Sequence, residues 1–170
     1  MITHAEVQAA VAPTDDYQYK LWTATEDDYY AEAVAAPWLR HHALFRVTPA
    51  DTSHPMSFYI ARDKDTGTAL VTSVNPPGLG QVLQREPELM RSGELVLRVY
   101  ELLRPQGVAT ELLAADAEAP ARTTRQDDGW TIRFVVGDEG RRKLWTVTVP
   151  DRGVGRWTTQ DAPAAQGVAP

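Results

Sequence analysis

The sequence predicts an α+β domain: an antiparallel β-sheet, built from a hairpin and a C-terminal meander, with helices packed on one face. Two β-rich runs, 56–62 and 68–74, flank a turn that contains Asp and Gly, which is the pattern of a hairpin. A helical face follows in 92–103, where leucine and valine recur at helical spacing. In 130–136 apolar and polar residues alternate, which is typical of a strand with one buried face.

The segments before the hairpin are predicted as a helix at 4–11, a strand at 17–23, a helix at 26–36 and a strand at 43–48. Thr3 is a good N-cap for the first helix. Thr25 and Asp28 have the spacing of a capping box, with Asp in place of Glu, and Pro37 ends the second helix.

The segments after the hairpin are predicted as a helix that opens at Leu79 and breaks at Pro87, a helix at 92–103 capped by Ser92, and strands at 108–113, 121–125, 130–136, 144–149 and 156–159. Short glycine-containing links join the last strands, as in an antiparallel meander. Whether the two β-rich parts form one sheet or two is left open. This order of elements resembles, at the level of the fold alone, the curved sheets of cystatin-like and NTF2-like proteins.

The chain of 170 residues is predicted to form a single domain over 1–160, followed by a disordered tail at 161–170. It has no cysteine, which excludes a disulfide framework, a thiolate metal site and a cysteine nucleophile. The first residues lack the pattern of a signal peptide, and no run is apolar enough to cross a membrane, so a cytoplasmic location is expected. The net charge of -6 and the scattered basic residues argue against nucleic-acid binding.

Two of the four histidines, His41 and His42, are adjacent. Adjacent side chains point to opposite faces of a strand, and no H-x-x-x-H spacing occurs, so no metal site is predicted and the pair is interpreted as structural. The alternative is a small NTF2-like enzyme acting on an apolar small molecule. In that hypothesis His41, His42 or His54 is the general base, and Asp63 or Tyr59 assists it.

Two further motifs suggest binding sites but lack essential residues. The run that begins at Asp63 (DKDTG) resembles half of a calcium loop, yet it lacks the glycine and glutamate that such a loop requires at its sixth and twelfth positions. The run Pro77-Gly78-Leu79-Gly80 lacks the third glycine of a dinucleotide-binding loop. They are predicted to be a hairpin turn and a change of chain direction, and no cofactor is expected.

Tryptophan is the most suggestive residue type, with five in the chain: Trp22, Trp38, Trp130, Trp145 and Trp157. Tryptophans of this kind either fill the core beneath a sheet or line a pocket or protein interface. Because no catalytic constellation is evident, the sequence favours a non-enzymatic binding or protein-interaction domain over the enzyme. The expected partner is another protein or a second copy of the chain, with an apolar small molecule as a further candidate ligand.

Overall fold

The computed structural model describes residues 1–51, 53, 56–113 and 119–163. Its helices are α1 (His4–Val11), α2 (Tyr17–Trp22), α3 (Pro76–Gln84), α4 (Pro87–Met90) and α5 (Leu95–Leu103), with a 3₁₀ turn at Glu26–Asp28. Its strands are β1 (Tyr29–Val34), β2 (His42–Pro49), β3 (Phe58–Asp63), β4 (Ala69–Val71), β5 (Thr110–Leu112), β6 (Arg122–Gln126), β7 (Gly129–Asp138), β8 (Arg141–Pro150) and β9 (Arg156–Asp161).

The strands form two antiparallel sheets, which answers the question that the sequence leaves open. Sheet A has the order β1-β2-β3-β4, and every neighbour in it is also a neighbour along the chain. Sheet C contains β5 to β9, with the path β5-β7-β8-β9. The short strands β5 and β6 both pair with β7, with β5 at its C-terminal end and β6 at its N-terminal half.

Helices α3, α4 and α5 lie between the two sheets and share one apolar core with them. A second core lies on the opposite side of sheet A, beneath α1 and α2. The predicted α+β class with antiparallel strands is therefore confirmed, and helices cover the inner face of sheet C. Sheet A differs because helices cover both of its faces. The resemblance to cystatin-like and NTF2-like sheets is not confirmed.

The elements with strong local signals lie where the sequence predicts them. Thr3 caps α1 in a complete capping box, in which the Thr3 side chain accepts from the Glu6 amide and the Glu6 side chain accepts from the Thr3 amide. The hairpin forms as β3 and β4, and the meander forms as β6 to β9. The predicted apolar face of α5 is buried: Leu95, Val99, Leu102 and Leu103.

Two predictions in the N-terminal third are wrong. Residues 17–22 form a helix instead of a strand, because Asp16 caps it by accepting from the Gln18 amide at 2.8 Å and Tyr19 stacks on Phe58 in the core. The capping box at Thr25 exists, but it caps only the 3₁₀ turn, and residues 29–34 continue as β1 instead of a helix. Pairing with β2 decides that segment, since tertiary contacts override weak helix propensity.

The glycines of the Pro77–Gly80 run lie inside α3, which begins at Pro76, so the run does more than turn the chain. A Cβ at Gly78 would lie 2.0 Å from the Val71 carbonyl oxygen, and one at Gly80 would lie 2.8 Å from Cα of Gly155. These glycines therefore allow α3 to approach β4 and the loop before β9 closely.

Three smaller points concern the ends of elements. Helix α5 begins at Leu95, and Ser92 offers only its carbonyl to the Leu95 amide, so the predicted side-chain cap at Ser92 is wrong. Strand β9 ends at Asp161, whereas 164–170 lie outside the described residues, so the disordered tail stays a prediction. Within the described part of the chain, no helix is both long and apolar enough to cross a membrane.

Candidate functional site

The histidine pair stands at the start of β2, and its two members have different surroundings. His42 is buried, and its Nδ1 lies 2.8 Å from Oε1 of Glu86, at the turn between α3 and α4. The backbone amides of Arg40 and His41 donate to the same carboxylate at 2.9 and 2.8 Å. Glu86 thus forms hydrogen bonds with three consecutive residues, 40–42, and links the start of β2 to the helices α3 and α4.

Glu86 remains ionised in this buried position. Burial raises the pKa of Glu86, but the hydrogen bonds from His42 and from the Arg40 and His41 amides lower it by more, so its pKa lies below the ordinary value. The charge of the carboxylate is therefore compensated by donors that the fold places around it.

Asp63 lies opposite His42 in the pairing of β2 with β3. Its carboxylate accepts from the amides of Asp65 and Thr66 at 2.8 and 2.9 Å and from Nε of Arg85 at 2.7 Å. The backbone bond from Thr66 is the largest cause of the lowered pKa of Asp63. These contacts make the Asp63 run the predicted hairpin turn.

The residues of the enzyme hypothesis are only partly brought together. His42 and Asp63 are neighbours, and His41 is half-exposed with Nδ1 4.0 Å from Asp65. Tyr59 lies further along β3, opposite Arg46. His54 lies outside the described residues. Across the described ranges, no group of three or more His, Cys, Asp or Glu side chains is arranged to hold a metal ion.

The tryptophans divide between the core and its margins. Trp145 is only 6% exposed and contacts Phe134, Tyr100 and Trp157, with ring centroids 5.7, 5.9 and 4.6 Å away. The other four are partly buried at the edges of the two cores: Trp22, Trp38, Trp130 and Trp157. Trp145 therefore serves packing, whereas the others keep part of their surface accessible.

Trp130 lines a pocket of about 250 Å³ where α3 and α4 meet the end of sheet C. It stands at the start of β7, opposite Arg125 of β6 and Val149 of β8. The pocket is lined by Leu83, Gln84, Pro87, Met90, Arg91, Arg125, Trp130, Val149, Pro150 and Asp151. Its lining is mixed: the indole, aliphatic side chains and two prolines alternate with charged and amide groups, and the accessible surface of the pocket is more polar than apolar. We call it the Trp130 pocket.

The charges at the mouth of the Trp130 pocket are unequal. Arg125 places its guanidinium 5.6 Å from the Trp130 ring centroid and binds both carboxylate oxygens of Asp151 at 2.8 and 2.6 Å. These bonds to Asp151 raise the pKa of Arg125. Arg91 is exposed and forms no ion pair with another residue of the described chain. The pocket therefore has one compensated cation and one cation available to a ligand.

The loop that closes the pocket is held in place by Gln84. Its Nε2 donates to the carbonyls of Pro150 and Gly153 at 2.7 and 3.2 Å, which ties the β8–β9 loop to α3. The walls of the Trp130 pocket are therefore supported from both sides before any ligand binds, and such preorganisation lowers the entropic cost of binding.

Comparisons of the chain with protein-family models, with curated proteins and with solved structures give no match.

Trp130 is among the binding residues that the sequence predicts, and its binding role stays a prediction; Arg91 and Glu86 are not among them. Glu86 does carry a signal, since it continues the buried spacing of Leu79, Val82 and Leu83 in a helix and so lies on an apolar face. Arg91 carries no comparable signal. It lines the pocket only because α4 packs against the end of sheet C.

Proposed function

We propose that this protein is a non-enzymatic binding domain that recognises a protein partner through the Trp130 pocket. The partner inserts one apolar side chain beside Trp130 and places a carboxylate against Arg91. The observation that carries this proposal is the combination of an accessible indole with an arginine that has no ion-pair partner among the described residues. Tryptophan and arginine are the residue types that most often dominate the binding energy of interfaces.

The size of the pocket supports a side chain as the occupant. Pockets for drug-sized ligands usually span roughly 300–1,000 Å³. The Trp130 pocket, at about 250 Å³, falls below that range, and its walls join a loop and two helices at the surface. One side chain of a larger partner would fill a pocket of this volume, and the other contacts of the partner would lie on the surface around it.

The charge at the mouth supports an acidic neighbour for that side chain. The protein has a net charge of -6, so a partner with acidic groups is repelled at long range. At contact distance Arg91 outweighs this effect, because exposed charges further apart than about 8 Å are largely screened at physiological salt.

The enzyme hypothesis stays a prediction that the placement of His42 does not favour. A general base must reach a substrate proton directly or through one water. The side chains of His42 and Glu86 are each only 1% exposed, and both are committed to each other.

The test is an NMR titration of the ¹⁵N-labelled protein with acetyl-Phe-Glu-amide, acetyl-Phe-Lys-amide and the uncharged 3-methylindole. We expect the Phe-Glu peptide to shift the Trp130 indole resonance most strongly. Arg91→Glu should weaken that peptide by roughly fivefold, the order of one exposed ion pair, and should favour the Phe-Lys peptide.

The matched control is Arg141→Glu, which makes the same charge change at the opposite end of the β7–β8 pair from the pocket. It should leave both peptides unaffected. The proposal is overturned if none of the probes moves the Trp130 resonance. It also fails if 3-methylindole binds as well as the Phe-Glu peptide and Arg91→Glu changes nothing, a result that would favour an apolar small molecule instead.

A further inference from the structure

Strand β1 forms an edge of sheet A, and its register shows which backbone groups point outward. The amide of Ala50 donates to the carbonyl of Asp28 at 2.8 Å, so residues 28 and 50 are a hydrogen-bonded pair. Hydrogen-bonded pairs recur every second residue in an antiparallel ladder. The backbone N–H and C=O groups of Tyr29, Ala31 and Ala33 therefore point away from β2.

These outward groups have no backbone hydrogen bond to another described residue outside the β1–β2 ladder. Natural proteins usually protect such an edge with lysine, proline, a bulge or a covering segment. β1 reads YYAEAV, and its one charge, on Glu32, is engaged by Arg46 of β2. By contrast β9, an edge of sheet C, begins with Arg156 and ends with Asp161.

The side chains of β1 are also exposed. Tyr30 is 70% exposed although it lies in a strand, and Ala31, Glu32 and Ala33 are exposed as well. The edge therefore presents free backbone groups, an aromatic ring and two small side chains that permit close approach.

We infer that β1 pairs with β1 of a second copy, which joins two four-stranded sheets into one eight-stranded antiparallel sheet. An added antiparallel strand must place outward residues opposite outward residues. A register centred on Ala31 does this for all three positions, since Tyr29 faces Ala33 of the second copy and Ala31 faces its own equivalent. Three pairs with two hydrogen bonds each give six bonds across the interface.

The same register is self-complementary in charge and size. Glu32 faces Tyr30 of the second copy, so the two glutamates are not opposed. A register centred on Glu32 would place the two carboxylates directly opposite each other, which is destabilising. The residue at the twofold axis is alanine, so no bulky side chain separates the strands. A closed twofold contact of this kind uses the same surface on both copies.

The interface lies on sheet A, away from the Trp130 pocket of sheet C, so it goes beyond the proposed function and does not depend on it. A contact limited to one strand is small, and small interfaces are weak. We therefore expect a dimer with a dissociation constant on the order of micromolar.

Sedimentation velocity over a concentration series tests the dimer, with Ala31→Pro as the disrupting variant. Proline removes one outward N–H, which the β1–β2 ladder does not use, so the fold is retained. Ala31→Pro should weaken dimerisation at least tenfold at unchanged circular dichroism. The matched control, Thr159→Pro, removes an outward N–H from β9 and should leave the dimer intact.

Cross-linking tests the register independently of stability, because the chain contains no cysteine. In the inferred register, Ala31→Cys places two thiols opposite each other with Cα atoms about 5.5 Å apart, within the reach of a disulfide. Ala31→Cys should form a covalent dimer under mild oxidation, and the control Glu32→Cys should not. A protein that is monomeric up to about 100 μM, or a dimer that survives Ala31→Pro, overturns the inference.

Discussion

Replacing Glu86 with alanine should be one of the most destabilising single changes in this protein, although Glu86 is a charged residue. The substitution removes the acceptor of three hydrogen bonds, from His42 and from the amides of Arg40 and His41. A buried donor left without its acceptor costs about 1–3 kcal/mol, so losing an acceptor shared by three donors should cost about 3–5 kcal/mol. Because small proteins are stable by only about 5–15 kcal/mol, this cost is a large share of the total.

The assay is urea unfolding at pH 7, followed by tryptophan fluorescence. Glu88→Ala, two residues further along the chain in α4, is the matched control, since Glu88 is exposed and its ion pair with Arg40 should be worth less than about 1 kcal/mol. Glu86→Gln should remain destabilised by about 1–3 kcal/mol, because its amide group places a donor where a second acceptor is needed. If Glu86→Ala costs no more than Glu88→Ala, the assigned role of this carboxylate is wrong.

Two further predictions concern pH and backbone strain. The pKa of Glu86 in the folded protein is lowered. Its ionisation therefore stabilises the fold fully above about pH 4.3, the ordinary pKa of glutamate. This stabilisation is lost as the pH falls through the pKa of the folded protein. The difference in unfolding free energy between the wild type and Glu86→Gln should therefore shrink from pH 5 to about pH 3, and a constant difference would contradict this. Val74 has a φ of +51°, which is strained for a β-branched residue. Glycine relieves about 1–3 kcal/mol of backbone strain at this position and costs about 0.5–1 kcal/mol in backbone entropy. Val74→Gly should therefore raise the urea midpoint. A lower midpoint would contradict the assigned strain at Val74.

The elements that sequence reasoning located have signals contained within a few residues. The capping box at Thr3, the turn between β3 and β4 and the helical face of α5 each depend on local spacing. The two segments whose secondary structure is predicted wrongly, 17–22 and 29–34, are short and have an ambiguous local preference. Packing of α2 on sheet A and pairing of β1 with β2 decide them, and neither contact can be inferred from the segments alone.

The difference between local signals and long-range contacts also decides which residues of the candidate site can be predicted from the sequence. Trp130 and Trp145 look alike in the sequence, since each lies on a strand of the meander. Their exposure differs because Trp130 lies at the start of β7, at the margin of the helical layer, whereas Trp145 lies in mid-strand beneath α5. The bond between His42 and Glu86 joins residues 44 positions apart, and no spacing rule predicts such a contact.

Covering sheet A on both faces has a consequence for how the molecule opens. The core beneath α1 and α2 is separate from the core around α3 to α5, so the N-terminal helices can detach while the larger core stays intact. Backbone amides of α1 and α2 should then exchange with deuterium sooner than those of α5. Each such opening uncovers the side chains of Phe45, Val47, Phe58 and Ile60 together. A minor, partly open population would thus expose an apolar, aggregation-prone face of the sheet. Resistance to aggregation therefore depends on how stably α1 and α2 pack on sheet A.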